Sequence, residues 1–466
     1  MRILEGLLLL VVAFGLSGCA RSLQSQQPPT KWTTGFWFWQ GSSTGATWSS
    51  EPLDVLFVHV GEIRKETAPY ALWNMTAAHA REQWHVYGEL PDTLPAAREY
   101  WLVFRFERQG VPDLLVAPAI AQEVARLREA ARKRHLNVAG VQLDIDSPTG
   151  ALSQYASFLR ALRKGLTPGF EISITALLDW FRNGTAIDEV IKEADEFVPQ
   201  FYDVGAASSP DGGNAIAVKI DAARWGSVFN RFGKRFRLGI SSFGRARLVP
   251  KEVPARSRYV GLSSFGDLTP LDIAMKSAFQ LQATRSQANE LVLSYRATRK
   301  IRISYQDFEP GDTVQFILST PETIRAAMES ARRVKGYLAG VVFFRWPSSN
   351  EALTMRPDEV LMAAGLSAQG RGQQMSIRTI DGGCAAVKCL DVYLEHANPS
   401  SSQAVRYRIR SSTELEYFLP EENMPVRMKG LSELELSLPP YCGRGRMYLG
   451  RAVAAGSVVF TVEEEQ

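Results

Sequence analysis

The 466-residue sequence predicts an α/β fold: a (β/α)8 barrel of the TIM type, an α+β insertion between its strands 7 and 8, and a C-terminal β-sandwich. Three observations support this fold class. Strand-like segments that are apolar nearly throughout alternate with amphipathic helix-like segments, as a parallel sheet covered by helices requires. The alternation of strand-like and helix-like segments is interrupted once, between strands 7 and 8, where the insertion is predicted. Near the C-terminus, apolar residues recur with a period of two, which is typical of antiparallel strands.

The N-terminal residues are typical of a bacterial lipoprotein. The apolar run 6–16 is too short to span a bilayer but suits the core of a signal peptide. It ends in Leu16-Ser17-Gly18-Cys19, which resembles the lipobox and implies that residues 1–18 are removed and Cys19 is lipidated. The next residue is Ala20, not the aspartate that retains such lipoproteins in the inner membrane. The resemblance therefore implies that the protein lies at the periplasmic face of the outer membrane. Residues 19–32, which are polar, are expected to tether the chain to this lipid anchor.

Residues 33–366 are predicted to form the barrel. An amphipathic helix between the third and fourth strands illustrates the covering layer, with Ile120, Val124, Leu127 and Ala131 at helical spacing. The insertion is expected at about residues 250–320, where it can wall a cleft above the carboxyl ends of the strands. The eight predicted strands are 35–40, 55–60, 100–106, 139–146, 171–178, 196–202, 236–241 and 340–346.

Residues 367–374 form a Gly/Gln-rich linker, and residues 375–466 are predicted to form the small β-sandwich. Cys384, Cys389 and Cys442 all lie there, so one disulfide is expected in an oxidising compartment, either between Cys384 and Cys389 or from one of them to Cys442. No histidine stands at metal-ligand spacing from these cysteines; the nearest in sequence is His396. We therefore expect no metal.

The charge balance argues against a nucleic-acid partner. The chain has 53 basic and 49 acidic residues, which gives a net charge of +4. The densest basic stretch, residues 126–134, lies on a predicted helix whose apolar residues face the other way. We interpret this stretch as a solvated helix face.

Chemistry in a barrel of this type belongs at the carboxyl ends of its strands. Strand four ends with Gln142, Asp144 and Asp146 at alternate positions, so these side chains point together into the barrel mouth, successive ones about 7 Å apart. Two carboxylates this close are not expected both to ionise freely, so one is a candidate general acid. The alternative is that Asp144 forms an ion pair in the barrel while Asp146 caps the next helix.

Other strands bring polar and aromatic side chains to the same level. Aromatic rings beside carboxylates suit carbohydrate, whose C–H faces stack on rings while its hydroxyls bond to acids. The alternative is that most of the tryptophans are packing residues. The further candidates are Gln200, Tyr202 and Asp203 at the end of strand six, Arg345 and Trp346 at the end of strand eight, Trp37, Trp39, His59 and Glu62 from strands one and two, and Asp179 and Trp180 after strand five.

These motifs resemble those of the chitinase-type family-eighteen glycoside hydrolases, which carry Asp-Gly-x-Asp-x-Asp-x-Glu on strand four and Met-x-Tyr-Asp on strand six. The resemblance implies that Asp144 orients an acetamido group, that Asp146 is the catalytic acid, and that Tyr202, with Asp203 as its acidic neighbour, bonds the N-acetyl carbonyl. It also implies a substrate-assisted mechanism without a cofactor. The sequence departs from the strand-four motif, since Ala139 and Gln142 replace its first two aspartates and Asp146 its glutamate.

Three further segments are Gln142-Leu143-Asp144-Ile145-Asp146-Ser147-Pro148, Gly311-Asp312 and Val341-Val342-Phe343-Phe344-Arg345-Trp346-Pro347. With them, residues 33 to about 365 resemble, more closely still, a group of bacterial lipoproteins, the domain-of-unknown-function family 3142. That resemblance implies no established activity. The sequence as a whole predicts an envelope lipoprotein whose barrel acts on a glycan containing N-acetylhexosamine. The alternative is a non-catalytic glycan-binding or envelope-assembly lipoprotein, because a fold does not by itself imply a function. No protein partner is predicted.

Overall fold

The computed structural model describes residues 29, 31–39, 52–67, 82–106, 110–202, 215–251, 258–260, 270–303, 306–348, 351, 353–366, 375–385, 387–397, 402–422, 424–441 and 445–465. The predicted signal peptide, Cys19 and the predicted tether lie outside these residues except for residues 29, 31 and 32, and the predicted linker 367–374 lies outside them entirely. Within the described residues, no helix is both long and apolar enough to cross a membrane.

The strands are β1 Thr33–Phe38, β2 Leu53–Thr67, β3 Glu82–Gly88, β4 Ala97–Phe106, β5 Val138–Ile145, β6 Glu171–Ala176, β7 Glu196–Pro199, β8 Arg235–Ser241, β9 Gly244–Val249, β10 Arg258–Val260, β11 Phe279–Arg285, β12 Leu291–Ala297, β13 Ile301–Ile303, β14 Gln306–Phe308, β15 Thr313–Leu318, β16 Leu338–Phe344, β17 Ser376–Asp381, β18 Lys388–Ala397, β19 Val405–Ser411, β20 Tyr417–Pro420, β21 Val426–Gly430, β22 Glu433–Leu438, β23 Gly445–Ala454 and β24 Phe460–Glu465. The helices are α1 Ala117–Lys133, α2 Leu152–Gly165, α3 Ile187–Glu193, α4 Ala222–Asn230, α5 Pro270–Ala274, α6 Pro321–Arg333 and α7 Pro357–Ala363.

Eight parallel strands close into a barrel in the order β1, β16, β8, β7, β6, β5, β4, β2, and β2 pairs back with β1. The predicted (β/α)8 barrel is therefore confirmed, and each of its strands overlaps one of the predicted segments. Strand β3 adds antiparallel to β2 outside the barrel order. The predicted stripe of α1 is buried, from Ile120 to Ala131, against the outer surface of the sheet.

Alternate residues of each barrel strand face two different cores. On β2, Leu56 and Val58 pack outward against the helices, whereas Val55 and Phe57 pack inside the barrel. This alternation follows from the period of two in a strand. Polar residues at inward positions near the carboxyl ends of the strands therefore lie close together.

The insertion between β8 and α6 contains a five-stranded antiparallel sheet in the order β10, β9, β15, β12, β11, with the short helix α5. The first strand of this sheet, β9, begins at Gly244, three residues after the end of β8. It pairs with β15 along its whole length. Val292 and Ile317 of the sheet belong to the same apolar cluster as Tyr202 of the barrel. The insertion therefore covers part of the barrel mouth.

The C-terminal part is a β-sandwich, as predicted. Two four-stranded antiparallel sheets, β17-β18-β23-β20 and β21-β22-β19-β24, enclose an apolar core that includes Leu394, Leu436 and Leu449. A disulfide joins Cys384 to Cys389, with their Cα atoms 5.8 Å apart. Cys442 lies outside the described residues.

Candidate functional site

A pocket opens at the carboxyl ends of the barrel strands. Its space is about 350 Å³ when the part open to solvent is included, and both strand-four carboxylates line it. The lining side chains come from six barrel strands or the residues directly after them, because inward-facing positions of parallel strands meet at one end of the barrel. They are Trp37, Trp39, Arg105, Asp144, Asp146, Thr175, Gln200, Tyr202 and Phe344.

Asp144 is the anchored carboxylate of the pocket. Its side chain is 7% exposed and forms an ion pair of 3.0 Å with Arg105, which lies opposite it in the pairing of β4 with β5. The hydroxyl of Thr175 donates to Oδ1 at 2.8 Å and the side-chain amide of Gln200 donates at 3.4 Å. Donors on β4 and β6 and on the residue directly after β7 therefore hold Asp144 in one position.

Asp146 lies at the rim of the same pocket and is exposed. The short 3-10 helix at residues 149–151 and helix α2 both begin without a side-chain capping hydrogen bond. Of the two alternatives drawn from the sequence, the structure shows the ion pair of Asp144, and neither of these helices has Asp146 as its N-cap residue. The exposed Asp146 side chain lines the pocket.

Aromatic rings form the apolar wall. The phenol ring of Tyr202 stacks on Phe344, with centroids 4.6 Å apart and planes 12° apart, and meets the edge of Trp37 at 5.8 Å. Trp39 meets Phe344 at 5.7 Å. These rings lie beside the carboxylates, which is the combination that suits a sugar.

A neutral hydrogen-bonded layer supports the pocket from inside the barrel. The fully buried Gln142 accepts a hydrogen bond of 2.7 Å from the indole N–H of Trp37 and donates one of 3.0 Å to the hydroxyl of Ser173. Gln142 does not line the pocket, since it lies one inward position below Asp144. Its role is to orient Trp37 rather than to touch a ligand.

His59 is a buried histidine beside this site. It faces the barrel interior from β2 and stacks on Trp39, with ring centroids 4.3 Å apart and planes 28° apart. Burial lowers the pKa of His59 below its ordinary value of 6.5; Glu62 and Asp144 oppose this shift, and Arg105 adds to it. Its Nε2 atom is buried without a hydrogen-bond partner.

Four residues that the sequence placed at the site lie elsewhere. Trp346 packs between Phe36, at 5.5 Å, and Phe38, at 6.2 Å, on the helix-facing side, because β16 ends at Phe344 and strand alternation does not extend to residue 346. Trp180 is fully buried in the outer core, where its N–H bonds to the carbonyl oxygen of Ser147 at 2.8 Å. Arg345 pairs with Glu351 and Glu62 pairs with Arg64, and neither lines the pocket.

Asp203 lies outside the described residues. Six of the candidate residues line one pocket: Asp144, Asp146, Tyr202, Gln200, Trp37 and Trp39.

Sequence reasoning missed Arg105, Thr175 and Phe344. A signal existed for Arg105, since a charged residue at an inward position of an otherwise apolar strand needs a partner there. Thr175 and Phe344 lie within apolar strands and carry no comparable signal.

Among the residues that the structure describes, no group of three or more histidine, cysteine, aspartate or glutamate side chains is placed to hold a metal ion.

The comparisons with known proteins address the same region. Residues 97–304 match the family model described as "Domain of unknown function (DUF3142)". The predicted resemblance to this family is confirmed. The matched segment includes β4, β5, β6 and β7, which carry Arg105, Asp144 and Thr175 and lead to Tyr202. No curated protein matches the chain in sequence.

Several solved structures are similar to the chain in fold. The spore cortex-lytic enzyme SleL of Bacillus cereus is 13% identical over 73% of this chain and 75% of its own, with a TM-score of 0.42. A family 18 N-acetylglucosaminidase from Paenibacillus barengoltzii is 15% identical over 72% of this chain and 99% of its own, with a TM-score of 0.42. A class V chitinase from Nicotiana tobaccum is 13% identical over 72% of this chain and 98% of its own, with a TM-score of 0.40.

Proposed function

We propose that the pocket binds a glycan containing N-acetylhexosamine and hydrolyses its glycosidic bond, with Asp146 as the acid. One observation carries the proposal: Asp144, Asp146 and Tyr202 line a single pocket that also has aromatic walls. A buried, anchored carboxylate and an exposed one, two positions apart on one strand, suit two different tasks.

In the proposed mechanism, the oxygen of the substrate's own 2-acetamido group attacks the anomeric carbon. Asp146 gives its proton to the leaving oxygen as the glycosidic bond breaks, and water then opens the cyclic intermediate and returns a proton to Asp146. Asp144 accepts the acetamido N–H, since Arg105 and Thr175 hold its carboxylate in place. The hydroxyl of Tyr202 donates to the acetamido carbonyl.

The length of the acid side chain gives a direct test. An aspartate is one methylene shorter than glutamate, and about 1 Å of misplacement can cost about 100-fold in rate. Hydrolysis of N-acetylglucosamine tetramer by the wild type, Asp146→Asn and Asp146→Glu is followed by product chromatography. We expect slow turnover by the wild type, none by Asp146→Asn, and faster turnover by Asp146→Glu. Equal turnover by wild type and Asp146→Asn would exclude Asp146 as the acid.

A second function, glycan binding without hydrolysis, is favoured by the ion pair of Arg105 with Asp144. Each of the two oxygens of Asp144 already accepts a hydrogen bond from the protein, so less of its capacity remains for a reacting group. This reading predicts no turnover by any variant. Affinity for the tetramer, measured by calorimetry, is then lost on Trp39→Ala and retained on Asp146→Asn.

We also propose that the protein is anchored in the bacterial envelope through a lipid on Cys19, at the periplasmic face of the outer membrane. The lipobox residues 16–19 support this proposal. Cys19→Ser is expected to leave the chain unprocessed or release it from the membrane. Fractionation that finds the variant processed and still fully in the membrane fraction contradicts the anchor.

A further inference from the structure

His59 lies directly behind one wall of the pocket. Its side chain is nine-tenths buried, on the inward side of β2, and its imidazole covers one face of the Trp39 indole at 4.3 Å. Trp39 itself is half-buried and lines the pocket. The plane of the imidazole therefore lies next to the plane that a bound sugar would contact.

Two other groups contact Trp39 less closely. Phe344 meets it at 65° with a centroid distance of 5.7 Å, and the guanidinium carbon of Arg105 lies 5.7 Å from the ring centroid. Only the His59 contact among these three is a stack, with the planes 28° apart. The stack therefore bears directly on the plane of the indole.

A histidine at this position carries a free-energy cost. Nε2 of His59 is buried without a hydrogen-bond partner, and burying a polar nitrogen without a hydrogen bond costs free energy that a phenylalanine ring would avoid. A neutral imidazole also has to sit among charges, since Glu62, Asp144 and Arg105 all act on it. The position is therefore both strained in its polar contacts and adjacent to the charged part of the site.

We propose that His59 is a positioning residue for the pocket: its imidazole holds the Trp39 indole in the orientation that forms the pocket wall, so the affinity for a sugar depends on His59 although His59 does not line the pocket. This inference rests on the proposed glycan binding. It adds to it by identifying the residue that sets the shape of the aromatic wall.

The contact is tested first without any glycan. A protonated imidazole stacked on an indole quenches its fluorescence, so the tryptophan emission of the full chain should fall as the pH drops through a transition below 6.5. The transition should be lost in His59→Phe and in Trp39→Phe. It should persist in His85→Gln, which alters an exposed histidine next to Trp84. A transition that persists in His59→Phe overturns the inference.

Affinity is tested next, with N-acetylglucosamine tetramer and calorimetry at pH 7.5. His59→Leu fills the space without a ring and should weaken binding about tenfold, the value of one aromatic stack. His59→Phe restores a ring and should bind within about twofold of the wild type. Equal melting temperatures show that both variants are folded.

The experiments distinguish a failure of the positioning role from a failure of the proposed glycan function. If the wild type binds the tetramer and His59→Leu binds it equally well, the positioning role is wrong and the proposed function stands. If the wild type binds no tetramer, the proposed glycan function is wrong, and the positioning role in sugar affinity is wrong with it, whatever the fluorescence shows about the stack.

Discussion

Replacing Asp146 by asparagine separates the two roles that its carboxylate can have, catalysis and structure. The side chain is exposed and neither of the following helix starts uses it as a cap. Asn has nearly the same volume, so we expect the free energy of unfolding to change by less than about 0.5 kcal/mol. If the site is hydrolytic, kcat should fall by at least about 100-fold, the usual contribution of a general acid.

Asp144→Asn is the matched variant two residues away. Unlike Asp146→Asn, it should lower the free energy of unfolding. It replaces a buried carboxylate that pairs with Arg105 at 3.0 Å by a neutral amide. Breaking a fully buried pair costs about 3–5 kcal/mol, but the Arg105 side chain is 36% exposed and solvent screens it. We therefore expect Asp144→Asn to lower the free energy of unfolding by about 2 kcal/mol.

A double-mutant cycle tests the origin of that loss. Arg105→Met alone should also destabilise the barrel, because it leaves the buried Asp144 without its ion-pair partner. The double variant Arg105→Met/Asp144→Asn should lose less than the sum of the single variants, by about 1 kcal/mol or more. Additive losses would show that the pair does not couple the two side chains.

The measurement is urea unfolding followed by tryptophan fluorescence. All ten tryptophans lie at or before Trp346, so the signal reports the barrel and not the C-terminal sandwich. The reasoning about Asp146 is refuted if Asp146→Asn lowers the free energy of unfolding by more than about 1 kcal/mol, since a solvent-exposed residue without a structural role does not cost that much. The carboxylate would then be a structural group.

Three further outcomes follow from charges and cross-links away from the pocket. Glu196→Gln should cost about 3–5 kcal/mol in urea unfolding, because this fully buried carboxylate is the ion-pair partner of the buried Arg237, whereas the partly exposed Glu171→Gln should cost less than about 1 kcal/mol. Reducing the disulfide of Cys384 should cost at most about 2 kcal/mol, because the bridged cysteines are only 5 residues apart, and peptide mapping that finds three free thiols excludes the bridge. Hydrogen bonds from Lys429 and Arg427 lower the pKa of Glu435 from 4.5 to about 2. The contribution of Glu435 to stability is therefore present above pH 4.5 and is lost as the pH falls through about 2. An NMR titration of Glu435 with a midpoint near 4.5 contradicts this.

The barrel could be predicted from the sequence because each barrel strand is buried on both faces. Such a strand is apolar nearly throughout, as residues 55–60 show, and the run stands out in the sequence. Strand β3 and the outer half of β2 could not be found in this way. They form an antiparallel pair outside the barrel, and the alternating polar residues from Glu62 to Lys65 leave no apolar run.

The candidate site could be predicted only as far as strand alternation holds. Gln142, Asp144 and the position of Asp146 follow from the period of two on β5, and the structure places all three on the inward side or at the rim. Trp346 was misplaced because it lies two residues beyond the end of its strand, where the backbone no longer fixes the side of the sheet. Trp180 was misplaced for the same reason, since it lies in a 3-10 turn after β6.

The interior of the barrel separates its charges into two levels, and this separation explains how the pocket can hold carboxylates. At the amino ends of the strands, Glu196 pairs with Arg237, whose guanidinium carbon lies 5.8 Å from the Phe57 ring centroid. At the carboxyl ends, Arg105 pairs with Asp144. The level between them is neutral, and its polar atoms bond to one another through Gln142. Each charged level is thus compensated within itself, which a low-dielectric interior requires. A ligand at the mouth therefore meets an anchored ion pair and the exposed carboxylate of Asp146, and the chemistry of the pocket depends on whether that carboxylate carries a proton to the leaving group.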